Sequence, residues 1–145
     1  MTFENESNDA LTSFYREVED LNNTIESITR DVNEVDHLHS DILSAPRADE
    51  KTKQRLEDLT SEIRRGATKV RNRLKIMEQE IEKTDNKNCA QYRIKKTQQS
   101  TLEHAIVAIM TEYNNMQNDY SKKCKKRIQR QLEISKSYLT KLSDD

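Results

Sequence analysis

Glycine and proline are nearly absent from this chain, which has one of each among its 145 residues. Turns between β-strands depend heavily on these two residues, so their scarcity argues against a β-rich fold. Tryptophan is absent, and 32% of the residues are apolar while 35% are charged. Such a composition leaves a thin core. It suits long amphipathic helices, which need apolar side chains along one stripe only.

Several function classes are disfavoured by further absences. The chain has 25 basic and 26 acidic residues, so it lacks the positive excess usual in proteins that bind nucleic acid. Cys89 and Cys124 are far apart and match neither a metal-site spacing nor a disulfide framework, which favours a reduced setting. No apolar run reaches the roughly 18 residues that a membrane span needs, so this chain alone is expected to be soluble.

No motif for catalysis or cofactor binding is present, so an enzyme, a cofactor and a metal are not expected. A single glycine cannot build a phosphate-binding loop. His37 and His39 would diverge by about 200° on a helix and could not share a metal there. His39 falls on an apolar stripe, where we expect a partly buried, hydrogen-bonded histidine.

Apolar residues recur at steps of three and four in three segments, which predicts three long helices. The first helix is expected over 9–43, capped by Asn8 or Asp9 and ended by Pro46. Its stripe is Leu11, Phe14, Val18, Leu21, Ile25, Ile28, Val32, Val35, His39 and Ile42.

The second helix is expected over 49–83, with Asp49 as its cap. Its stripe is Leu56, Leu59, Ile63, Ala67, Val70, Leu74, Met77 and Ile81. Gly66 interrupts the helix interior, and either a close approach of a neighbouring helix or a functional bend would explain it. The polar sequence TDNKN at 84–88 predicts the next break.

The third helix is expected over 89–135. A flexible N-terminus at 1–8 precedes the bundle, and the tail at 136–145 is expected to be a linker, to fray or to extend the helix. The main stripe of the third helix is Ile94, Leu102, Ala105 or Ile106, Ile109, Tyr113, Met116 and Tyr120. Three helices joined by short loops predict an all-α, antiparallel up-down-up bundle over 9–135, with left-handed packing like that of coiled coils.

A second, half-apolar row runs beside the main stripe of the third helix. It consists of Val107, Met110, Asn114, Gln117, Ser121, Cys124 and Ile128, here called the groove row. Three packed helices need one stripe each, so this row either widens the core or lines a groove that accepts another amphipathic helix. Under the second interpretation, Met110→Glu is expected to leave the bundle folded and to weaken binding of that helix.

A basic run overlaps the end of the groove row. It consists of Lys122, Lys123, Lys125, Lys126, Arg127 and Arg130. Contact with acidic lipid or with an acidic helix is one interpretation. We favour the other, a solvated face of a helix whose apolar residues point inward. Residues that read bases are not interleaved with the run.

Five short motifs, in order and at matching spacing, resemble the N-terminal domain of plasma-membrane syntaxins. They are DILSAP (41–46), DEKTK (49–53), IKKTQQSTL (94–102), EYN (112–114) and CKKRIQRQLEI (124–134). The resemblance covers about residues 9–135, nearly the whole chain. It implies a Habc domain, the regulatory three-helix bundle of a SNARE protein in vesicle docking and exocytosis.

The resemblance also implies partners. The groove of the second and third helices would hold the protein's own SNARE motif in a closed state, and proteins of the SM family would bind that form. Other SNARE partners would be reached only through a C-terminal SNARE region and membrane anchor, which this sequence lacks. The full-length protein would lie on the cytoplasmic face of the plasma membrane, and this chain would be a monomeric fragment or truncated form.

Two alternatives of other classes stay open. One is a structural spacer or coiled-coil oligomer without a regulated ligand, and the other is a basic module on a membrane surface. The opening MTFENESND also does not resemble the basic N-peptide of many plasma-membrane syntaxins. Binding of an SM protein through that peptide is therefore not expected here.

Overall fold

The chain forms three long helices, and its computed structural model describes the backbone of residues 2–144 and the side chains of residues 9–144. The helices are α1 (Thr2–Ser44), α2 (Glu50–Glu82) and α3 (Ala90–Ser143), and no strand occurs in this part of the chain. Each helix packs against both others. The predicted all-α three-helix bundle is confirmed.

Cross-helix contacts establish the up-down-up order. Arg73 bonds Glu17 at 2.7 Å near one end of the bundle, and Arg55 bonds Glu34 at 2.9 Å farther along. Residue numbers therefore fall along α2 as they rise along α1, so the two helices are antiparallel. The His39 ring stacks on the Tyr120 ring, with centroids 3.7 Å apart, and Arg127 reaches the end of α1. Hence α1 and α3 run parallel. The hand of the supercoil stays a prediction.

The core follows the predicted stripes closely. Every stripe residue from Phe14 to His39 on α1 and from Leu59 to Ile81 on α2 is buried. On α3 the buried residues also include Tyr92 and Gln99, which the stripe omitted. The Gln99 amide donates to Glu103 Oε2 at 3.2 Å, which gives this buried polar group a partner.

Gly66 marks a close approach of α2 to α1, as one of the two interpretations expected. A Cβ built on Gly66 would lie 3.1 Å from Cγ1 and 3.2 Å from Cδ1 of Ile28. A side chain at this position would therefore press on a buried neighbour.

The helix boundaries differ from the predictions at both ends of the chain. The backbone of α1 begins at Thr2, so Asn8 and Asp9 lie within the helix and neither caps it. The side chains of 1–8 lie outside the described residues, so the flexible N-terminus stays a prediction. α3 continues through 136–143 instead of ending at 135, because that stretch contains neither glycine nor proline to stop it.

The two connections agree better with the predictions. α1 ends at Ser44, two residues before Pro46. The Asp49 carboxylate accepts from the Lys51 N–H at 3.3 Å and caps α2. Cys89 caps α3, where its Sγ accepts from the Tyr92 N–H at 3.4 Å.

Candidate functional site

The groove between α2 and α3 contains a shallow cleft. Leu74 and Ile106 are buried at its base, and Val107 stands beside them with 53% of its surface exposed. The cleft measures about 360 Å³, and its lining is Arg71, Leu74, Lys75, Glu78, Gln99, Glu103, Ile106 and Val107. An apolar floor with charged rims of both signs is the arrangement that an amphipathic helix can fill.

The groove row lies on the side of α3 that faces α2. Val107 lines the cleft, and positions three and four residues apart continue that face of the helix. Asn114, Ser121 and Ile128 are exposed, and Gln117 and Cys124 are half-buried. The Gln117 amide donates to the Tyr113 hydroxyl at 2.5 Å. The row is thus a partly exposed margin of the groove, and its binding role stays a prediction.

Met110 differs from the rest of the groove row. It is half-buried and packs against the hydrophobic core. A glutamate there would bring a charge to the edge of the core and destabilise the bundle. The expectation for Met110→Glu therefore stays a prediction, and the exposed Val107 is the better position for a test.

A polar network closes the groove where α2 meets α3. Glu82 accepts hydrogen bonds from Lys87 at 3.2 Å, Lys96 at 3.3 Å and the Tyr92 hydroxyl at 3.2 Å. The bond from Lys87, followed by that from Lys96, lowers the pKa of Glu82. The three charged side chains are exposed and Tyr92 is buried, so the ion pairs of the network fix local geometry more than they stabilise the fold.

The basic run consists of five exposed residues and the half-buried Arg127. Lys122, Lys125, Lys126 and Arg130 are exposed, as expected for a solvated face, and the exposed Lys123 bonds Asp119 at 3.0 Å.

Arg127 contradicts the prediction of a solvated face. Its guanidinium donates to the carbonyl oxygens of Ile42 at 2.8 Å and Pro46 at 3.2 Å, and also to that of Ala45. The last carbonyls of a helix have no partner within the helix, and positive charge there is favourable. The end of α1 has no basic residue of its own in its last turn, and Arg127 supplies one from α3. In the sequence, the lack of a basic residue in the last turn of α1 was the only sign that another helix would supply one.

His39 is buried as predicted, but its hydrogen bonds are missing. Neither ring nitrogen has a partner among the described residues. Its plane lies 1° from that of Tyr120 in a stacked pair. Burial lowers the pKa of His39, although the charge of Asp36 opposes the shift. Burial, followed by a hydrogen bond with Cys124, raises the pKa of Tyr120 to about 12.

Two other kinds of site are absent from the described residues. No group of three or more His, Cys, Asp or Glu side chains is placed there to hold a metal ion. None of the helices is both long and apolar enough to span a membrane.

Comparison with known proteins points in one direction. The family model described as Syntaxin matches residues 8–141. A chain in the crystal structure of the Unc18–syntaxin 1 complex from Monosiga brevicollis has the same fold, with a TM-score of 0.75 and 24% identity. The match covers 85% of this chain and 60% of that one, so this chain spans about three fifths of its neighbour's length.

Proposed function

We propose that this chain, which belongs to the syntaxin family, is a regulatory interaction domain that holds a SNARE-motif helix in its α2–α3 groove. The mechanism is competitive occupation, because a motif held in the groove cannot join a SNARE complex. The preference for the closed state need not be large. A difference of about 1.4 kcal/mol already changes the ratio of closed to open forms tenfold.

The observation that carries this proposal is the environment of Val107. An apolar side chain with 53% of its surface exposed stands over a floor of Leu74 and Ile106. An incoming helix would bury Val107 there, at a gain of about 25 cal/mol for each Å² of apolar surface. Charges of both signs on the rim, with Lys75 and Glu78 on α2, would orient that helix.

The finer assignments rest on similarity. The neighbouring structure is that of a complex between Unc18 and syntaxin 1, and we propose that an SM-family protein likewise binds this chain when its groove is occupied. The sequence motifs support a plasma-membrane syntaxin, whose full-length form would lie on the cytoplasmic face of that membrane.

The test is a titration of this chain with a separately made syntaxin SNARE-motif peptide, followed by backbone amide NMR. We expect shifts to cluster on 107–128 of α3 and on the facing side of 56–81 of α2. An absence of shifts at high peptide concentration would overturn the groove assignment.

Val107→Glu sharpens that test. It places a charge where the peptide would exclude water, so we expect binding to weaken about tenfold or more. Because Val107 is exposed, the free energy of unfolding should hardly change. Ile76→Glu is the matched control. Ile76 is 43% exposed and follows Arg73, which faces α1, by one turn of α2. Equal weakening by both variants would contradict the proposal.

A structural spacer or coiled-coil oligomer is the second candidate, favoured by the unbroken heptads of α1. Its discriminating measurement is the mass in solution. We expect a monomer by analytical ultracentrifugation, because the stripes of all three helices are already buried against one another. A concentration-dependent dimer or larger assembly would favour the spacer.

A further inference from the structure

One segment of α3 lies beyond the bundle. Arg127 bonds the carbonyls that follow the last turn of α1, so residue 127 lies level with the end of that helix. α3 then continues from Ile128 to Ser143, which spans about 24 Å. We call this segment the α3 extension. All of its side chains are exposed.

The α3 extension carries a broad apolar face. Six large apolar side chains in it are 56% to 69% exposed, which is unusual in so short a segment. At about 100° per residue they fall within an arc of about 160°. They are Ile128, Leu132, Ile134, Tyr138, Leu139 and Leu142.

Positive charge concentrates around this face. Residues 122–141 contain eight Lys or Arg and one acidic residue, Glu133. The other 17 basic and 25 acidic residues give the rest of the chain a net charge of −8. On the helix, Arg130 and Lys141 border one edge of the apolar arc, and Lys125 and Lys136 border the other. None of these four forms a salt bridge with any described carboxylate.

The width of the face decides between two occupants. A coiled-coil partner needs a narrow seam, and the seam through Leu132, Leu139 and Leu142 would place Ser135 at its centre and leave Ile134 and Tyr138 outside. A membrane surface accepts the whole arc. Bordering lysines and arginines extend along the apolar surface toward lipid phosphates, and a tyrosine suits the boundary between water and acyl chains.

We propose that the α3 extension is a membrane-surface helix, which lies in the headgroup region of an anionic lipid bilayer. Lys125, Arg130, Lys136 and Lys141 would contact the lipid headgroups while the apolar arc enters the acyl boundary. The bundle, with its opposite net charge, would face away from the bilayer. Ile128 is the one residue that the α3 extension shares with the groove row. The cleft beside Val107 takes no part in this proposal, so each proposal can fail without the other.

The absence of tryptophan from the chain offers a direct probe. Tyr138→Trp introduces a single indole on the apolar arc, and its fluorescence should shift to the blue with vesicles of phosphatidylcholine and phosphatidylserine. Tyr15→Trp is the matched control, at another exposed tyrosine on α1. Its emission should stay constant. No shift for Tyr138→Trp, or equal shifts for both variants, would overturn the proposal.

Vesicle flotation separates the apolar from the electrostatic contribution. Lys136→Gln combined with Lys141→Gln should weaken binding about 25-fold, at about fivefold for each charge removed. Leu139→Glu combined with Leu142→Glu should abolish it. Both pairs are exposed, so circular dichroism should show an intact bundle. Arg64→Gln combined with Lys69→Gln removes two exposed charges from α2 and should have little effect.

Three outcomes would overturn the proposal. Equal binding to vesicles of phosphatidylcholine alone would remove the role of charge. Unchanged binding of the leucine double variant would show adsorption without insertion. The third outcome combines two results. If the chain fails to bind anionic vesicles and forms a dimer, and the leucine double variant does not dimerise, the apolar arc contacts a second copy of this chain.

Discussion

At the scale of single residues, His39 is the clearest source of pH dependence. Its folded-state pKa lies below the ordinary value of 6.5 because the ring is buried. At a pH between the folded-state and unfolded-state pKa values of His39, the unfolded chain binds a proton that the folded chain excludes. The free energy of unfolding therefore has its full value above about pH 6.5 and decreases as the pH falls below 6.5.

His39→Phe should reduce that pH dependence. The phenyl ring can keep the stack on Tyr120 and has no nitrogen to protonate. Urea unfolding at about pH 7.5 and about pH 5 measures the effect as the difference in the free energy of unfolding. His37→Gln, an exposed histidine two residues earlier, is the control and should keep the original difference. The same difference in both variants would show that groups other than His39 cause the loss of stability at low pH.

Arg127 is the second residue whose role can be isolated. Arg127→Gln removes the charged donors from the carbonyls of Ile42, Ala45 and Pro46, and we expect the free energy of unfolding to fall by about 2 kcal/mol. Arg130→Gln, one turn later and exposed, should change it by less than about 0.5 kcal/mol. Chemical denaturation of both variants provides the comparison. Equal losses would mean that general charge, and not the end of α1, accounts for the effect.

At the scale of the helix, Gly66 sets how closely α2 approaches α1. Gly66→Ala gains about 1 kcal/mol of helix propensity but presses its Cβ on Ile28, so we expect little net change in the free energy of unfolding. After Ile28→Ala the obstruction is gone, and the same substitution should stabilise by about 1 kcal/mol. A double-mutant cycle measures this coupling. If Gly66→Ala changes the free energy of unfolding equally with Ile28 and with Ile28→Ala, the close approach of the two helices is not the reason for glycine at this position.

At the scale of the whole molecule, local patterns predicted the bundle well. The stripes from Phe14 to His39 and from Leu59 to Ile81 have regular steps, and burial follows such steps directly. The polar breaks at Pro46 and at 84–88 also predicted the two connections. Asn8 and Asp9 failed as caps because a suitable side chain does not stop a helix that can begin earlier.

The candidate sites depended on distant contacts and were less predictable. Arg127 and Ile42 are 85 residues apart in sequence, so no local pattern joins them. Whether Met110 belongs to the core or to the groove depends on how α2 packs beside α3. The exposed apolar face of the α3 extension was also missed, because apolar residues of an isolated helix and those of a packed helix follow the same periodicity.

The α3 extension has a consequence for cooperativity. Its backbone hydrogen bonds are supported by helix propensity alone, whereas those beside Val32, Val70 and Ile106 are covered by tertiary packing. Amide hydrogen exchange should therefore be fast in 128–143 and slowest in the middle of the bundle. Such a result would identify the two parts as separate units of unfolding. A ligand on the α3 extension would order those 16 residues without changing the protection of the core.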